Sequence, residues 1–214
     1  MAENILSILL AYLCGAIPFG YLAGKLNGID LREHGSHNIG ATNAVRVLGK
    51  RWGIPVFLCD FLKGFLPVLL MKQHLGGDAT AMEAGQMGWL LGVMGAAVLG
   101  HTYTCFLHFR GGKGVATSAG VLLALSSFVG GVALGTWVLC MVLTRYVSLS
   151  SMLAGVAAVA AVLWEFAGDG SVSAADVPVI AVIALLCLLV IVKHRSNVLR
   201  LCRGTEPKAF SKKN

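Results

Sequence analysis

The sequence predicts an all-α integral membrane protein with about seven transmembrane helices, its N-terminus outside and its C-terminus in the cytoplasm. Three observations carry this expectation. The 214 residues are 57% apolar and only 13% charged, with a mean hydropathy of +0.78, whereas soluble domains carry about 25% charged residues. Apolar stretches recur near the length of roughly 20 residues that a helix needs to cross the hydrocarbon. The basic residues, finally, gather in segments that alternate crossings would bring to one face.

The first apolar run, 4–24, follows Met-Ala-Glu-Asn without a basic leader and reads as a retained span, not a signal peptide. Runs 52–72, 85–107, 149–166 and 177–193 supply four more. The stretch 114–144 has 31 residues without a charge, interrupted by Gly130-Gly131, and fits one long helix or a hairpin of two short ones. Charge decides between them. Loop 25–51 holds Lys25, Arg32, Arg46, Lys50 and Arg51, and the tail holds Lys193, Arg195, Arg200, Arg203, Lys208, Lys212 and Lys213. A hairpin of 114–129 and 132–144 puts both segments on one side with Arg110, Lys113 and Arg145, which makes 15 of the 17 basic residues. A single long helix would set the tail opposite the first loop, against the positive-inside rule. The outer face then carries Glu3, Asp78, Glu83, Glu165, Asp169 and Asp176. With no internal repeat and no low-complexity tract, residues 1–214 read as one transmembrane domain.

Composition also excludes classes. The formal charge of +7 follows from membrane orientation and does not point to nucleic acid. The cysteines Cys14, Cys59, Cys105, Cys140, Cys187 and Cys202 form no close pair, so neither a disulfide frame nor a zinc site is expected. His34, His37, His74 and His108 form no metal set, and no metal or cofactor is expected.

Three polar clusters fall on the basic side, and their coincidence says more than any one alone. The first is Gly35-Ser36-His37-Asn38-Ile39-Gly40-Ala41-Thr42-Asn43-Ala44-Val45-Arg46. Its glycines let main-chain N–H groups close on an anion, a helix starting there adds its positive end, and Arg46 can clamp a phosphate bidentately. The plain alternative is a connecting loop rich in turn residues. The second is Arg110-Gly111-Gly112-Lys113-Gly114-Val115-Ala116-Thr117, which sets Lys113 at a helix start amid exposed N–H groups. A basic membrane anchor would explain its charge but not three glycines in four residues. It is not a Walker motif, because Gly114 follows Lys113 and the earlier glycine position is Leu107.

The third cluster is Lys193-His194-Arg195-Ser196-Asn197-Val198-Leu199-Arg200, in which His194 and Asn197 share a helix face. Alone it reads as a basic stop to a span. Beside the other two, His194 becomes a hydrogen-bond partner for Ser36 or for substrate. Ser148 and Ser151 lie near the start of a span, where helix capping is the plain reading for at least one. Asp60 and Lys63, three apart inside a span, read as a self-neutralising pair. His101 reads as an interior histidine.

These clusters resemble the bacterial acyl-phosphate:glycerol-3-phosphate acyltransferase family, the PlsY type. The match includes Gly15-Ala16-Ile17-Pro18-Phe19-Gly20, Asp30-Leu31-Arg32, Gly35 to Arg46, Asp60-Phe61-Leu62-Lys63-Gly64 and Gly111 to Thr117. It continues through Tyr146-Val147-Ser148-Leu149-Ser150-Ser151, His194 to Asn197 and Gly204-Thr205-Glu206. The resemblance implies a seven-span enzyme of the bacterial plasma (inner) membrane with its active site on the cytoplasmic face. It would transfer a fatty acyl group from acyl phosphate to the 1-hydroxyl of glycerol 3-phosphate in phospholipid biosynthesis, giving lysophosphatidic acid and phosphate. It implies the lipid bilayer as setting, no acyl-CoA or carrier protein, and no obligate protein partner. Acyltransferases built on His-x4-Asp are another class, and none of the six histidines has that spacing.

Carried onto this chain, the resemblance marks Ser36, Lys113 and His194 as catalytic and Asn38, Thr42, Arg46, Ser151 and Asn197 as substrate-binding. Two positions depart from the family pattern. His37 stands where glycine is common, and histidine tolerates positive φ better than most residues. Thr104 stands where proline is common. Direct attack of the glycerol hydroxyl on the acyl carbonyl is the expected route; an acyl-Ser36 intermediate is the alternative, disfavoured because no third triad member is evident. Outside enzymology, the rivals are a transporter of small phosphorylated solutes, which would normally show repeats and a midplane site, and a non-catalytic scaffold.

Overall fold

The computed structural model describes residues 1–79, 82–166 and 172–209. Asp169, Lys212 and Lys213, named above, lie outside them. Every regular element among the described residues is helical: α1 (Ala2–Ala16), α2 (Phe19–Leu26), α3 (Ala41–Leu48), α4 (Lys50–His74), α5 (Ala84–Thr102), α6 (Val115–Leu125), α7 (Ser127–Thr144), α8 (Val147–Phe166), α9 (Val177–Lys193) and α10 (Arg195–Cys202), with a short 3-10 turn at Cys105–Leu107. The helices form two compact bodies, Met1–Leu125 and Ser126–Asn214.

Among the described residues, five helical stretches are long and apolar enough to cross a membrane: Ala2–Leu26, Lys50–His74, Ala84–Leu107, Ser127–Thr144 and Val147–Phe166. Val177–Lys193 with Arg195–Cys202, bent by 57°, makes a sixth when counted as one span. Helix α6 has 11 residues, a rise of about 16 Å, and does not cross a hydrocarbon core of about 30 Å alone. The expected integral-membrane, all-α class is therefore present, with five or six spans by length where seven were expected.

The stretch 114–144 forms two helices, but the break stands at Ser126, not at Gly130-Gly131. Ser126 adopts an extended backbone at φ −145°, and its hydroxyl oxygen accepts the Val129 N–H at 3.2 Å. The same hydroxyl donates to Glu165 at 2.7 Å. A hydroxyl that satisfies an orphan helix-start N–H ends a helix more effectively than two glycines, which a membrane helix absorbs without losing main-chain hydrogen bonds. Both glycines sit within α7.

In the first body, α4 is the organising element. Its buried residues Gly53, Val56, Asp60, Lys63, Gly64, Val68 and Met71 recur at intervals of one, three or four and form one stripe. Helix α3 meets the stripe at Gly53 through Val45, α2 meets it at Val56 through Gly20, and α6 meets it at Gly64 through the Thr117 carbonyl. Helices α1 and α5 approach equally closely: any side chain at Gly15 would strike the Ala97 carbonyl, and one at Gly100 the Tyr12 carbonyl. Small residues allow this backbone contact, which supplies the packing attraction that hydrophobicity cannot supply between helices in lipid.

In the second body, α7 and α8 run antiparallel. Ser126, at the start of α7, bonds Glu165 near the end of α8, and Trp137 Nε1 donates to Ser151 near the start of α8 at 3.3 Å. Helix α9 packs on α8 where Gly155 faces Cys187. The chain then turns at His194 into α10.

Candidate active site

The segment leading into α3 is organised by Asn43, a residue to which sequence reasoning gave no role of its own. Asn43 is 2% exposed. Its amide nitrogen donates to the carbonyls of Leu31, His34 and Asn38 at 3.1, 2.9 and 2.8 Å, and its amide oxygen accepts the Ser36 N–H at 2.8 Å. One side chain thus gathers a loop whose polar backbone has no regular partner. Its signal in the sequence was an asparagine inside a short helix, where that residue is otherwise unfavourable. Beside it, Asn38 accepts the Gly40 N–H at 2.8 Å, an Asx turn that leads into α3.

Ser36, Asn38 and Arg46 are half-buried and Thr42 is exposed. Thr42 and Arg46 lie four apart on α3 and therefore on one face. His37 adopts φ +57°, the left-handed region, and its Nδ1 donates to the Arg32 carbonyl at 3.0 Å. The turn is therefore kept with histidine where glycine was expected. Upstream, Arg32 forms a bidentate pair with Asp30, its nearest contact 2.6 Å, and this hydrogen bonding holds the Asp30 carboxyl down at about 2.

The Lys113 turn is built from both sides. Thr104, at the departure from proline, donates to the Ala16 carbonyl at 2.5 Å and caps the 3-10 turn through the Phe106 N–H at 3.3 Å. The hydroxyl thus ends the third span by a bond that proline lacks. Gly111 and Gly112 donate to the carbonyls of Thr102 and His101 at 3.2 and 3.1 Å. Gly114 takes φ +81° and its carbonyl accepts the Ser118 N–H at 2.7 Å, which opens α6 with Lys113 half-buried at its threshold.

Both clusters mount on the buried stripe of α4. The first abuts Gly53 through Val45 and shares a small apolar core with Val56 through Ala44, and the second is tied through Thr117 to Asp60 and Gly64. Val56 and Asp60 are four residues apart, a rise of about 6 Å. The expected Asp60–Lys63 pair is present at 2.8 Å, with both side chains buried. His101 is an interior residue, 6% exposed.

In the second body the third cluster differs from expectation. His194 and Asn197 do not share one continuous helix: His194 is the junction of α9 and α10, because its N–H closes α9 on Val190 and Ile191 while its carbonyl opens α10 by accepting the Asn197 N–H at 2.8 Å. They share one turn. The His194 Nδ1 donates to the Val190 carbonyl at 2.8 Å, so Nε2 is the acceptor nitrogen of the neutral ring. Asn197 Nδ2 donates to Glu206 at 2.6 Å, as does Ser148 Oγ at 2.6 Å, and Arg200 Nε donates to it at 2.7 Å. Burial of Glu206 raises its pKa, but the bonds from Ser148, Asn197 and Arg200 outweigh that and hold it below the usual carboxylate range.

The capping reading of the two serines is thus corrected. Ser148 serves the Glu206 carboxylate, and Ser151, one turn further, donates to the Val147 carbonyl at 2.7 Å. Glu206 itself was legible only as a matched letter. Its physical signal was the need of Ser148, Asn197 and Arg200 for an acceptor. Among the described residues no group of His, Cys, Asp or Glu is placed to hold a metal ion.

Comparison with known proteins accords with this arrangement. Residues 5–204 match the sequence model of the family described as glycerol-3-phosphate acyltransferase. A glycerol-3-phosphate acyltransferase of Bacillus cereus is 45% identical over 215 residues, covering 100% of this chain and 99% of that protein. One of Synechocystis sp. is 44% identical over 210 residues, covering 96% and 90%. The crystal structure of PlsY, an integral membrane glycerol 3-phosphate acyltransferase, in its glycerol 3-phosphate form superposes with a TM-score of 0.83 at 38% identity, covering 96% of this chain and 95% of that one. By sequence along nearly its whole length and by fold, the chain belongs to the glycerol-3-phosphate acyltransferase family.

Proposed function

We propose that the protein transfers a fatty acyl group from an acyl phosphate to the 1-hydroxyl of sn-glycerol 3-phosphate, releasing phosphate and lysophosphatidic acid for phospholipid synthesis. The observation that carries this reading is the mounting of two polar, glycine-bearing turns on one stripe of α4, with Arg46 and Lys113 as their cations. Two polyanionic substrates need two such cradles. Family membership favours the enzyme over the phosphorylated-solute transporter and over a scaffold.

An acyl phosphate is a mixed anhydride with a good leaving group, so the task is to orient two anions and stabilise the carbonyl oxyanion. The glycerol oxygen attacks the acyl carbon, its proton passes to a substrate phosphate oxygen, and the bond between acyl carbon and bridging oxygen breaks. In this scheme Arg46, with Asn38, Thr42 and loop N–H groups, binds one phosphate. Lys113 and the start of α6 bind the other or meet the developing charge. Ser36 and His194 serve the reacting hydroxyl, and Ser151 and Asn197 bind substrate. The acyl chain lies among apolar helices in lipid, where each buried CH₂ contributes about 0.8 kcal/mol. The main-chain carbonyl on His194 Nδ1, where a Ser-His triad would place a carboxylate, favours direct transfer over an acyl-Ser36 intermediate.

The same proposal includes one acyltransferase domain over residues 1–214 and the seven-span count, in which the short α6 counts as a crossing only where the bilayer thins locally around it. It places the N-terminus outside and the site on the cytoplasmic face of the bacterial plasma membrane, a reading supported by the distribution of 15 of the 17 basic residues. It calls for no cofactor and no obligate protein partner. Two-substrate initial rates on protein in lipid test it. Palmitoyl phosphate should support lysophosphatidic acid formation and palmitoyl-CoA should not, with reciprocal plots that intersect. Product from palmitoyl-CoA would overturn the donor, and parallel lines would replace direct transfer with an acyl-enzyme.

A further inference from the structure

The interior of the first body holds three ionisable side chains that this reaction does not use. Asp60, Lys63 and His101 are 2%, 4% and 6% exposed. A buried charge is tolerated only when paired and hydrogen-bonded. Lys63 Nζ meets both needs, 2.8 Å from Asp60 Oδ1 and donating to the Ile17 carbonyl at 2.7 Å. The pair is therefore balanced without His101. Yet His101 Nδ1 faces the same Asp60 Oδ1 at 3.6 Å and makes no hydrogen bond among the described residues. A closure of a few tenths of an ångström makes that bond.

On its other side His101 touches the glycine turn. Its carbonyl accepts the Gly112 N–H at 3.1 Å. Its ring Nε2 lies so near the Gly112 α-carbon that any side chain there would collide with it. The Asp60 carbonyl, in turn, accepts the Thr117 hydroxyl at 2.9 Å. Asp60 and His101 thus hold the segment 111–117 near both ends, with Lys113 between.

We propose that Asp60 and His101 form a positioning pair for Lys113. The carboxylate fixes the imidazole, the imidazole and its carbonyl fix Gly112, and Gly112 sets where the Lys113 main chain stands. Neither residue touches substrate; both act through Lys113. The inference rests on the reading of Lys113 as catalytic, and its test separates the two.

The experiment compares wild type with His101→Ala, Asp60→Asn/Lys63→Met, Lys113→Ala and His101→Ala/Lys113→Ala, all in lipid nanodiscs. Asp60→Asn/Lys63→Met removes both charges at once, so it leaves no bare ion and carries the test if His101→Ala does not fold. Amide hydrogen exchange at Gly111 and Gly112 should rise by about tenfold or more in both anchor variants, while exchange in α1 holds at the wild-type level. Acyl-transfer kcat should fall by roughly tenfold in His101→Ala, and this loss should vanish in the Lys113→Ala background, as coupled residues require. Wild-type protection of the turn in both anchor variants would overturn the proposal, as would losses that simply multiply. Full activity in Lys113→Ala would overturn the catalytic reading of Lys113, and loosened exchange alone would then uphold the anchoring of the turn.

Discussion

In the first body, the loop around Ser36 is gathered by a neutral amide: Asn43 makes four hydrogen bonds to main-chain groups and carries no charge. In the second body, the turn after His194 is gathered by a carboxylate: Glu206 accepts from Ser148, Asn197 and Arg200. Both devices satisfy buried polar groups, but they fail under different conditions. An amide hub is indifferent to pH and intolerant of any change of shape. A carboxylate hub tolerates little loss of charge and titrates.

The largest effect should come not from either hub but from Lys113, the cation proposed to meet the developing charge. Lys113→Ala should lower kcat/KM for acyl transfer by about a hundredfold or more, the scale of losing one charged stabiliser of a developing oxyanion. The check is initial rates on protein whose melting temperature matches wild type. Next, Asn43→Asp should break the first device more severely than Asn43→Ala. It turns three donated bonds into oxygen facing oxygen, costing about 3 kcal/mol or more, since each buried unsatisfied group costs about 1–3 kcal/mol. Thermal unfolding in detergent should rank the two variants in that order.

Glu206→Gln breaks the second device more gently. The amide keeps the shape but sets an NH₂ among donors, for an expected loss of about 1–3 kcal/mol. The sign of its pH dependence is fixed. Because the folded-state pKa of Glu206 is lowered, its stabilisation is complete at neutral pH and is lost as pH falls through that lowered value. Wild type should therefore lose melting temperature below the usual glutamate range, and Glu206→Gln should lack that step. A wild-type acid profile in Glu206→Gln would show that the carboxylate is not the hub.

The smallest effect should be at the rim of the first body. The Asp30–Arg32 pair is bidentate, but Arg32 is 42% exposed, so Asp30→Asn should cost under about 1 kcal/mol. Since Asp30 titrates at about 2, held there by Arg32, the contribution is present at neutral pH and fades only in strong acid. Melting curves of Asp30→Asn at neutral pH and in strong acid check both statements.

Much of this was legible in the sequence because a membrane imposes simple rules. Apolar runs became helices, and Asp60 with Lys63 became the ion pair that their spacing requires. The break at Ser126 was missed because two glycines look like a stop, although glycine in a membrane helix more often serves close packing, as at Gly64 and Gly120. Asn43 and Glu206 were missed for another reason. Each acts by gathering groups distant in sequence, Leu31 through Asn38 for one and Ser148 with Asn197 for the other, and no local spacing encodes such a hub. The bend at His194 was hidden likewise, since a three-residue interval fits one helix as well as the turn joining two.

The most direct test of the central claim incubates purified protein in lipid with palmitoyl phosphate and glycerol 3-phosphate, following phosphate and lysophosphatidic acid by mass spectrometry. The two products should form in equal amounts, and the rate of both should fall by about a hundredfold or more in Lys113→Ala. Phosphate without the lysolipid, or equal yields from Lys113→Ala and wild type, would contradict it.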